Sequence, residues 1–217
     1  MYATVIFDLD GTLLNTGEDL TAAGNHVCRA FGWPEYTPEE FVKLVGHGIP
    51  NLVSRFSPPE AQTPERQAEC LRLFNEYYSA HSMDLTHPYP GMAELVRRLR
   101  EKGARLAVYS NKSDEFSKAL INRFFPGCFA LIQGKLEGVP VKPDPTGIRT
   151  ILACLGAESA TTLFVGDSSV DILTGKNAGT ATCGVSWGFR TRESLAGAGA
   201  DFIVDSAREL EAIILRG

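Results

Sequence analysis

The sequence predicts an α/β fold in which a doubly wound parallel sheet is interrupted by an inserted helical domain. Short β-prone runs recur along the chain and alternate with helical patterns, as expected for βαβ units. One stretch, residues 16–87, carries helical patterns only. With 217 residues, 44% of them hydrophobic and 22% charged, the chain is long enough to bury a substantial core.

The first β-prone run, Tyr2–Phe7, is nearly continuous in apolar and β-branched residues, which is typical of a parallel strand buried on both faces. Similar runs follow at Arg105–Ser110, Ala130–Gln133, Thr162–Val165, Ala181–Val185 and Phe202–Val204. Apolar residues at helical spacing lie between them, and Asp144-Pro145 is typical of a helix start. Residues 1–15 and 88–217 are therefore expected to form a Rossmann-like core.

The inserted stretch, residues 16–87, contains three helix-start signals. Thr16 with Asp19 resembles a capping box, and Thr37-Pro38 and Thr63-Pro64 begin two further helices. The proline-rich segment 87–91 is typical of a stiff linker that returns the chain to the core. Residues 16–87 are therefore expected to form a separate helical domain.

Composition argues against several classes of protein. The formal net charge is −5, which does not favour a nucleic-acid surface. No apolar run approaches the roughly 18 residues of a membrane span, and Asp8 and Asp10 interrupt the apolar N-terminal stretch, which argues against a signal peptide. The five cysteines are widely spaced, odd in number and without a CxxC pair, as in reduced cytosolic proteins. We therefore expect a cytoplasmic protein without a nucleic-acid or membrane partner.

Two carboxylates, Asp8 and Asp10, directly follow the first predicted strand, and Gly11 permits a tight turn. Ligands of open α/β sheets bind beyond the carboxyl ends of the strands. Two carboxylates at this place can divide the work, one as a nucleophile and the other as an acid/base. The alternative is an ordinary solvated turn.

A second acidic pair, Asp167 and Asp171, follows a later predicted strand. Asp171 lies one helical turn beyond Asp167, so both carboxylates can face one point. A capping box between Ser168 and Asp171 is compatible with this. Four carboxylates at neighbouring strand ends repel each other, by about 4 kcal/mol for a pair 4 Å apart at an effective dielectric constant of 20. A divalent cation removes this cost, and an oxygen-only ligand set suits magnesium.

Candidate groups for binding an anion follow the other strands. Ser110 and Asn111 end the second core strand, where a hydroxyl and backbone N–H groups can hold phosphate oxygens, although helix capping explains them equally well. Lys142 lies beside prolines that restrict its orientation, and a cation there can hold both a nucleophile and a phosphoryl group. The alternative for Lys142 is an exposed loop lysine.

Four motifs together resemble those of the haloacid dehalogenase superfamily of phosphohydrolases: Asp-Leu-Asp-Gly-Thr, Ser110, Lys142 and Gly-Asp-Ser-Ser-Val-Asp. The inserted helical domain resembles the mobile α-helical cap of that superfamily. The resemblance covers essentially the whole chain. It implies that Asp8 attacks phosphorus, forming an aspartyl-phosphate, and that Asp10 protonates the leaving alcohol and then activates water.

The resemblance also assigns the binding groups. Ser110 and Lys142 are expected to hold the transferring phosphoryl group. Magnesium is expected to be bound by Asp8, the backbone carbonyl of Asp10 and Asp167, with Asp171 in support. Phosphoryl transfer depends on in-line positioning and charge neutralisation, which such a site supplies.

Within the superfamily, the chain most resembles the phosphoglycolate phosphatases, in the stretches Gly166–Gly179 and Val185–Arg190. The segment Val45-Gly46-His47-Gly48 resembles a cap loop of that branch, so Gly46, His47 and Gly48 are expected to contact substrate. Asn15 departs from the pattern, since relatives usually carry Asp there.

The resulting hypothesis is a magnesium-dependent phosphatase, a phosphoric monoester hydrolase acting on a small phosphorylated metabolite, with phosphoglycolate as the leading substrate. A pyrophosphatase or a sugar-phosphate mutase of the β-phosphoglucomutase type is the alternative on the same fold. A phosphate-ester binding protein without turnover is a third possibility. The chain is expected to be a monomer or a homodimer.

Overall fold

The computed structural model describes residues 1–216 and divides the chain into two compact units. Unit 1 comprises Met1–Leu14 and Pro88–Gly217, and unit 2 comprises Asn15–His87. No helix in the described part of the chain combines the length and apolarity that a membrane crossing requires.

Unit 1 is built on a six-stranded sheet in which every adjacent pair of strands is parallel. Its strands are β1 (Thr4–Phe7), β4 (Arg105–Ser113), β5 (Leu131–Lys135), β6 (Thr162–Gly166), β7 (Ala181–Val185) and β8 (Phe202–Val204). Their spatial order is β5-β4-β1-β6-β7-β8, so the chain winds outward from β1 in both directions. Two short strands, β2 (Leu14–Asn15) and β3 (His87–Pro88), pair separately. The predicted doubly wound α/β architecture is confirmed.

The apolar runs of the sequence form strands because both faces of the sheet are buried. In β1, Val5 and Phe7 pack into one hydrophobic cluster, whereas Ile6 packs into another. Successive strand residues point to opposite faces, so a strand covered on both sides must be apolar at every position. The helices of unit 1 are α5 (Met92–Glu101), α6 (Asp114–Phe124), α7 (Thr146–Leu155), α8 (Ser169–Ala178), α9 (Arg192–Gly197) and α10 (Ala207–Arg216).

Unit 2 is helical, with a core of its own. Its helices are α1 (Gly17–Phe31), α2 (Pro38–Phe41), α3 (Ile49–Phe56) and α4 (Pro64–His81), and short 3-10 turns lie at Val42–Leu44 and Pro59–Ala61. Aromatic rings fill its interior. The ring centroid of Phe56 lies 5.6 Å from that of Phe41 and 6.3 Å from that of Phe74. The Phe74 ring stacks on the Tyr78 ring, with a centroid distance of 5.7 Å.

The start of α1 differs from the expectation. Thr37 and Thr63 cap α2 and α4 with their side chains, but the predicted capping box between Thr16 and Asp19 is wrong, because no side-chain cap forms at Thr16. The buried Asp19 carboxylate instead accepts hydrogen bonds from the backbone N–H groups of Leu85 and Thr86 and from the Thr86 hydroxyl at 2.7 Å. Asp19 thereby joins the two ends of unit 2.

Candidate active site

The candidate site lies in unit 1, where the register of the central strands aligns their carboxyl ends. Phe7, the last residue of β1, pairs with Val108 of β4 and with Val165 of β6. Asp8, the next residue, therefore lies at the carboxyl end of β1, between the neighbouring strands β4 and β6. Folds of this type bind ligands at the carboxyl edge of the parallel sheet, because the residues that follow neighbouring strands lie close together there.

Lys142 joins two of the acids. Its Nζ lies 2.6 Å from Oδ1 of Asp8 and 2.6 Å from Oδ1 of Asp171, and all three side chains are buried. Burial disfavours the charged ammonium, but Asp171 and Asp8 together outweigh this effect and raise the pKa of Lys142. Because Lys142 is buried, the alternative of an exposed loop lysine is excluded, and the raised pKa favours the charged ammonium beside Asp8.

Asp171 serves the helix and the site at once. Its Oδ2 accepts a hydrogen bond from the backbone N–H of Ser168, and the Ser168 side chain accepts from the Asp171 N–H, so the predicted capping box of α8 is present. Its other oxygen, Oδ1, receives the Lys142 ammonium. The capping and site interpretations of Asp171 are thus both satisfied by one carboxylate.

Asp167 completes a cluster of three buried carboxylates. Asp8, Asp167 and Asp171 each offer an oxygen, and these oxygens lie within 4.8 Å of one another. Burial, followed by repulsion from Asp171, raises the pKa of Asp167 well above the usual range of a carboxyl group. Burial likewise raises the pKa of Asp8 to about 7, with Lys142 opposing and Asp171 adding to the shift.

The charge balance of the cluster fits a divalent cation. Three carboxylates face one ammonium, Lys142, which leaves two negative charges uncompensated when all three acids are ionised. Magnesium prefers oxygen ligands at about 2.1 Å, so two ligands of one ion lie at most about 4 Å apart, and oxygens that lie within 4.8 Å of one another are compatible with such a ligand set.

Asp10, two residues after Asp8, has a different partner. Its two carboxylate oxygens lie 3.0 and 3.2 Å from Nζ of Lys112, whose side chain is only 2% exposed. The Asp10 carboxylate, one of the four acids expected at the strand ends, is thus paired with a lysine and is not among the three clustered carboxylates, and the predicted metal ligand of this residue is its backbone carbonyl.

The side chain of Asn111, a residue predicted to bind phosphate, hydrogen-bonds the backbone of Lys142. Its Oδ1 accepts from the backbone N–H of Lys142 at 2.9 Å, and its Nδ2 donates to the Lys142 carbonyl at 3.3 Å. The side-chain amide therefore holds the Lys142 backbone beside β4. Ser110, the neighbouring phosphate-binding candidate, is buried, and its Oγ accepts from the backbone N–H of Lys112 at 3.2 Å.

The remaining predicted contacts, Gly46, His47 and Gly48, lie in unit 2. They form the turn between the 3-10 segment Val42–Leu44 and α3. The φ angles of Gly46 and Gly48 are 130° and 83°, which side-chain-bearing residues rarely adopt. The two glycines therefore shape a turn that displays His47.

Sequence reasoning missed Lys112 and one loop. β4 runs to Ser113, three residues beyond its predicted end, and this places Lys112 inside a buried strand. A lysine two positions after Ser110 was the available signal. No role at the site was predicted for the loop after β7, yet the backbone N–H of Phe189 donates to Oδ2 of Asp167 at 2.6 Å. A backbone donor leaves no signal in the sequence.

Comparison with known proteins identifies the family. The family model of the haloacid dehalogenase-like hydrolases matches residues 5–185. A phosphoglycolate phosphatase from Aquifex aeolicus is 34% identical over 186 residues, which are 85% of each chain. The pyrophosphatase PpaX from Anoxybacillus flavithermus is 34% identical over 212 residues, covering 97% of this chain and 96% of the relative.

A solved structure gives the same result. A protein from Lactobacillus delbrueckii subsp. bulgaricus, provisionally named a phosphoglycolate phosphatase, has a TM-score of 0.93 and 34% identity, with 98% of each chain covered. The relatives are named phosphatases of one hydrolase family, so the chain is an enzyme of the phosphoric monoester hydrolase type. It belongs to the haloacid dehalogenase-like hydrolase family.

Proposed function

We propose that this protein is a magnesium-dependent phosphatase of a small phosphorylated metabolite that works through an aspartyl-phosphate on Asp8. One observation carries the proposal. Asp8 is a buried carboxylate at the end of the central strand, held at 2.6 Å by Lys142 and within reach of Asp167 and Asp171. A nucleophile fixed in this way can be aimed at phosphorus, and its neighbours can offset the charge of the phosphoryl group.

The reaction proceeds in two displacements. An Asp8 oxygen forms a bond to phosphorus while the bond from phosphorus to the leaving oxygen breaks, and Asp10 gives that oxygen a proton. A water molecule then attacks the same phosphorus, Asp10 takes its proton back from the water, and Asp8 and inorganic phosphate are released. General acid–base catalysis of this kind contributes roughly 100- to 10,000-fold.

Ser110 and Lys142 hold the phosphoryl oxygens in this proposal, and Asn111 holds the backbone of Lys142 through its two hydrogen bonds. Asp8 and Asp167, with Asp171 in support and the Asp10 carbonyl, bind magnesium. Bound magnesium supplies charge neutralisation and orientation of the phosphoryl group.

We assign the catalytic role to residues 1–15 and 88–217 and the cap role to residues 16–87. The turn at Gly46, His47 and Gly48 selects the leaving group in this proposal. Cytoplasmic location and a monomeric or homodimeric state belong to it as well.

Phosphoglycolate is the proposed substrate, because relatives bearing that name match 85% or more of the chain at 30–34% identity. Inorganic pyrophosphate is the second candidate, because a relative named pyrophosphatase matches at 34% identity over 97% of the chain. A sugar-phosphate mutase is the third, and would show slow release of phosphate, since a mutase returns the phosphoryl group to its substrate.

The test of the reaction class is phosphate release from a panel of phosphoglycolate, pyrophosphate, hexose phosphates and nucleotides, with magnesium or with EDTA. Rapid, magnesium-dependent release from phosphoglycolate is expected. Faster release from pyrophosphate would replace phosphoglycolate as the proposed substrate but would leave the proposed aspartyl-phosphate reaction unchanged. Equal rates in EDTA would contradict the metal requirement.

The nucleophile is tested by Asp8→Asn. An amide cannot attack phosphorus, so turnover is expected to fall to background, while the folded protein still binds magnesium weakly through the remaining acids. Glu94→Gln, an exposed acid of α5, serves as the control. A rate for Asp8→Asn near that of the control would show that the nucleophile is another residue.

A further inference from the structure

Asp167 is held differently from the other two carboxylates of the cluster. Asp8 and Asp171 each receive the ammonium of Lys142. Asp167 receives instead the backbone N–H of Phe189, which donates to its Oδ2 at 2.6 Å. Phe189 lies in the segment Ser186–Arg190, which we call the β7–α9 loop because it leads from β7 toward α9.

The backbone of the loop packs against Asp167 and leaves no room for a side chain at Gly188. A Cβ atom at Gly188 would lie 2.3 Å from Cβ of Asp167 and 2.3 Å from the carbonyl oxygen of Gly11. Neither of these is the flexible end of a side chain, so any residue larger than glycine would push the loop away from Asp167. The same displacement would lengthen the hydrogen bond from Phe189.

The turn after β1 packs against the other side of the Asp167 side chain. A Cβ atom at Gly11 would lie 2.3 Å from Oδ2 of Asp167 and 3.1 Å from the Phe189 ring. The indole N–H of Trp187 donates to the carbonyl of Thr12 at 3.1 Å and so ties the loop to this turn. Asp167 is thus enclosed between the two glycine-bearing backbone segments.

We propose that the β7–α9 loop positions Asp167 for metal binding: the Phe189 N–H fixes the rotation of the carboxylate, and Gly188 and Trp187 hold that N–H in place. This inference rests on the metal site of the proposed function and adds positioning residues that supply no ligand atom themselves. Groups that orient a metal ligand typically contribute 10- to 100-fold in affinity.

The test measures binding of magnesium alone, by titration calorimetry of protein freed of metal with EDTA. Gly188→Ala is expected to weaken magnesium binding about 10- to 100-fold. Trp187→Phe keeps an aromatic ring but removes the indole N–H, and an intermediate loss is expected. Gly197→Ala is the matched control, since a Cβ atom there meets nothing within 4 Å, and its affinity should equal that of the wild type.

Folding is checked separately by far-UV circular dichroism and by a cooperative melt in EDTA. A folded Gly188→Ala protein with wild-type affinity for magnesium overturns the inference, as does an equal loss in Gly197→Ala. If Gly188→Ala does not fold, Trp187→Phe decides, and unchanged affinity in that variant overturns the inference. Failure of the wild-type protein to bind magnesium would overturn the metal site itself, which distinguishes the two conclusions.

Discussion

Asp167→Asn is expected to stabilise the metal-free protein while removing its response to magnesium. Asp167 is a buried carboxylate whose oxygen lies within 4.8 Å of oxygens from Asp8 and Asp171. Asparagine keeps an oxygen that can accept the Phe189 N–H and replaces the charged oxygen by a neutral amide. The substitution therefore removes repulsion without removing the hydrogen bond that holds the side chain.

The magnitude follows from the spacing. Two like charges that lie within 4.8 Å of each other repel by at least about 3.5 kcal/mol at an effective dielectric constant of 20, and Asp167 faces two such neighbours. Attraction to Arg190 and protonation of the cluster relieve part of this repulsion. We therefore expect a net gain of about 1–3 kcal/mol in the free energy of unfolding at pH 8. For a chain of this length, that gain raises Tm by about 2–12 °C.

The gain should depend on pH. The pKa of Asp167 is raised in the folded protein, so between the unfolded and folded pKa values the folded state binds more protons than the unfolded state. Stability of the wild type therefore falls as the pH rises through this window. At pH 5 the wild-type group retains more of its proton, and the advantage of Asp167→Asn should be smaller than at pH 8.

The assay is differential scanning calorimetry at pH 5 and pH 8, in EDTA and then with increasing magnesium. Magnesium at 100 times its dissociation constant should stabilise the wild type by about 2.7 kcal/mol, because it binds the folded state only. The variant should show little of this shift, and Glu94→Gln should show all of it. A lower Tm for Asp167→Asn than for the wild type in EDTA at pH 8, or an intact magnesium shift, would refute the reasoning.

Two further predictions concern residues that hold the site. Lys112→Met is expected to lower kcat by at least about tenfold, because Asp10 loses the ammonium group that lies 3.0 Å away and orients its carboxylate. The loss should be larger for alkyl phosphates than for aryl phosphates, because aryl leaving groups need less protonation. The measurement compares kcat on both substrate types with that of Lys118→Met, which changes an exposed lysine, and equal rates in the two variants would exclude this role for Lys112. Asn111→Ala removes two hydrogen bonds to the Lys142 backbone. The variant is expected to lose about 1–3 kcal/mol in the free energy of unfolding, measured by urea denaturation, and to have a lower kcat/KM. A variant as stable and as active as the wild type would show that other groups hold Lys142.

The fold was predictable from local patterns. Strand β1 is apolar at successive positions because both faces of the sheet are covered, and this character is visible in Val5-Ile6-Phe7. The caps of α2 and α8 were predictable too, because each lies within four residues of sequence. The cap of α1 was not, since Asp19 finds its partners 66 and 67 residues away, at Leu85 and Thr86.

Candidate site residues were predictable where a motif places a charged group directly after a strand, as for Asp8 and Asp167, or beside prolines that restrict its orientation, as for Lys142. Their partners were not. The Lys112–Asp10 pair spans 102 residues, and the hydrogen bond from Phe189 to Asp167 comes from a backbone N–H that any residue except proline would carry. Long-range pairings of this kind depend on where loops and strand ends meet.

The sequence by itself determined the order of strands and helices, the helical insert and the residue types available to the site, because burial pattern and local capping are properties of neighbouring residues. Only the tertiary structure decided which charges meet. Lys142 lies between Asp8 and Asp171 and pairs with both. Lys112 pairs with Asp10, and the Asn111 side chain hydrogen-bonds the backbone of Lys142. The reason is physical: a buried charge or amide is stable only with a partner at hydrogen-bond distance, and the fold chooses that partner.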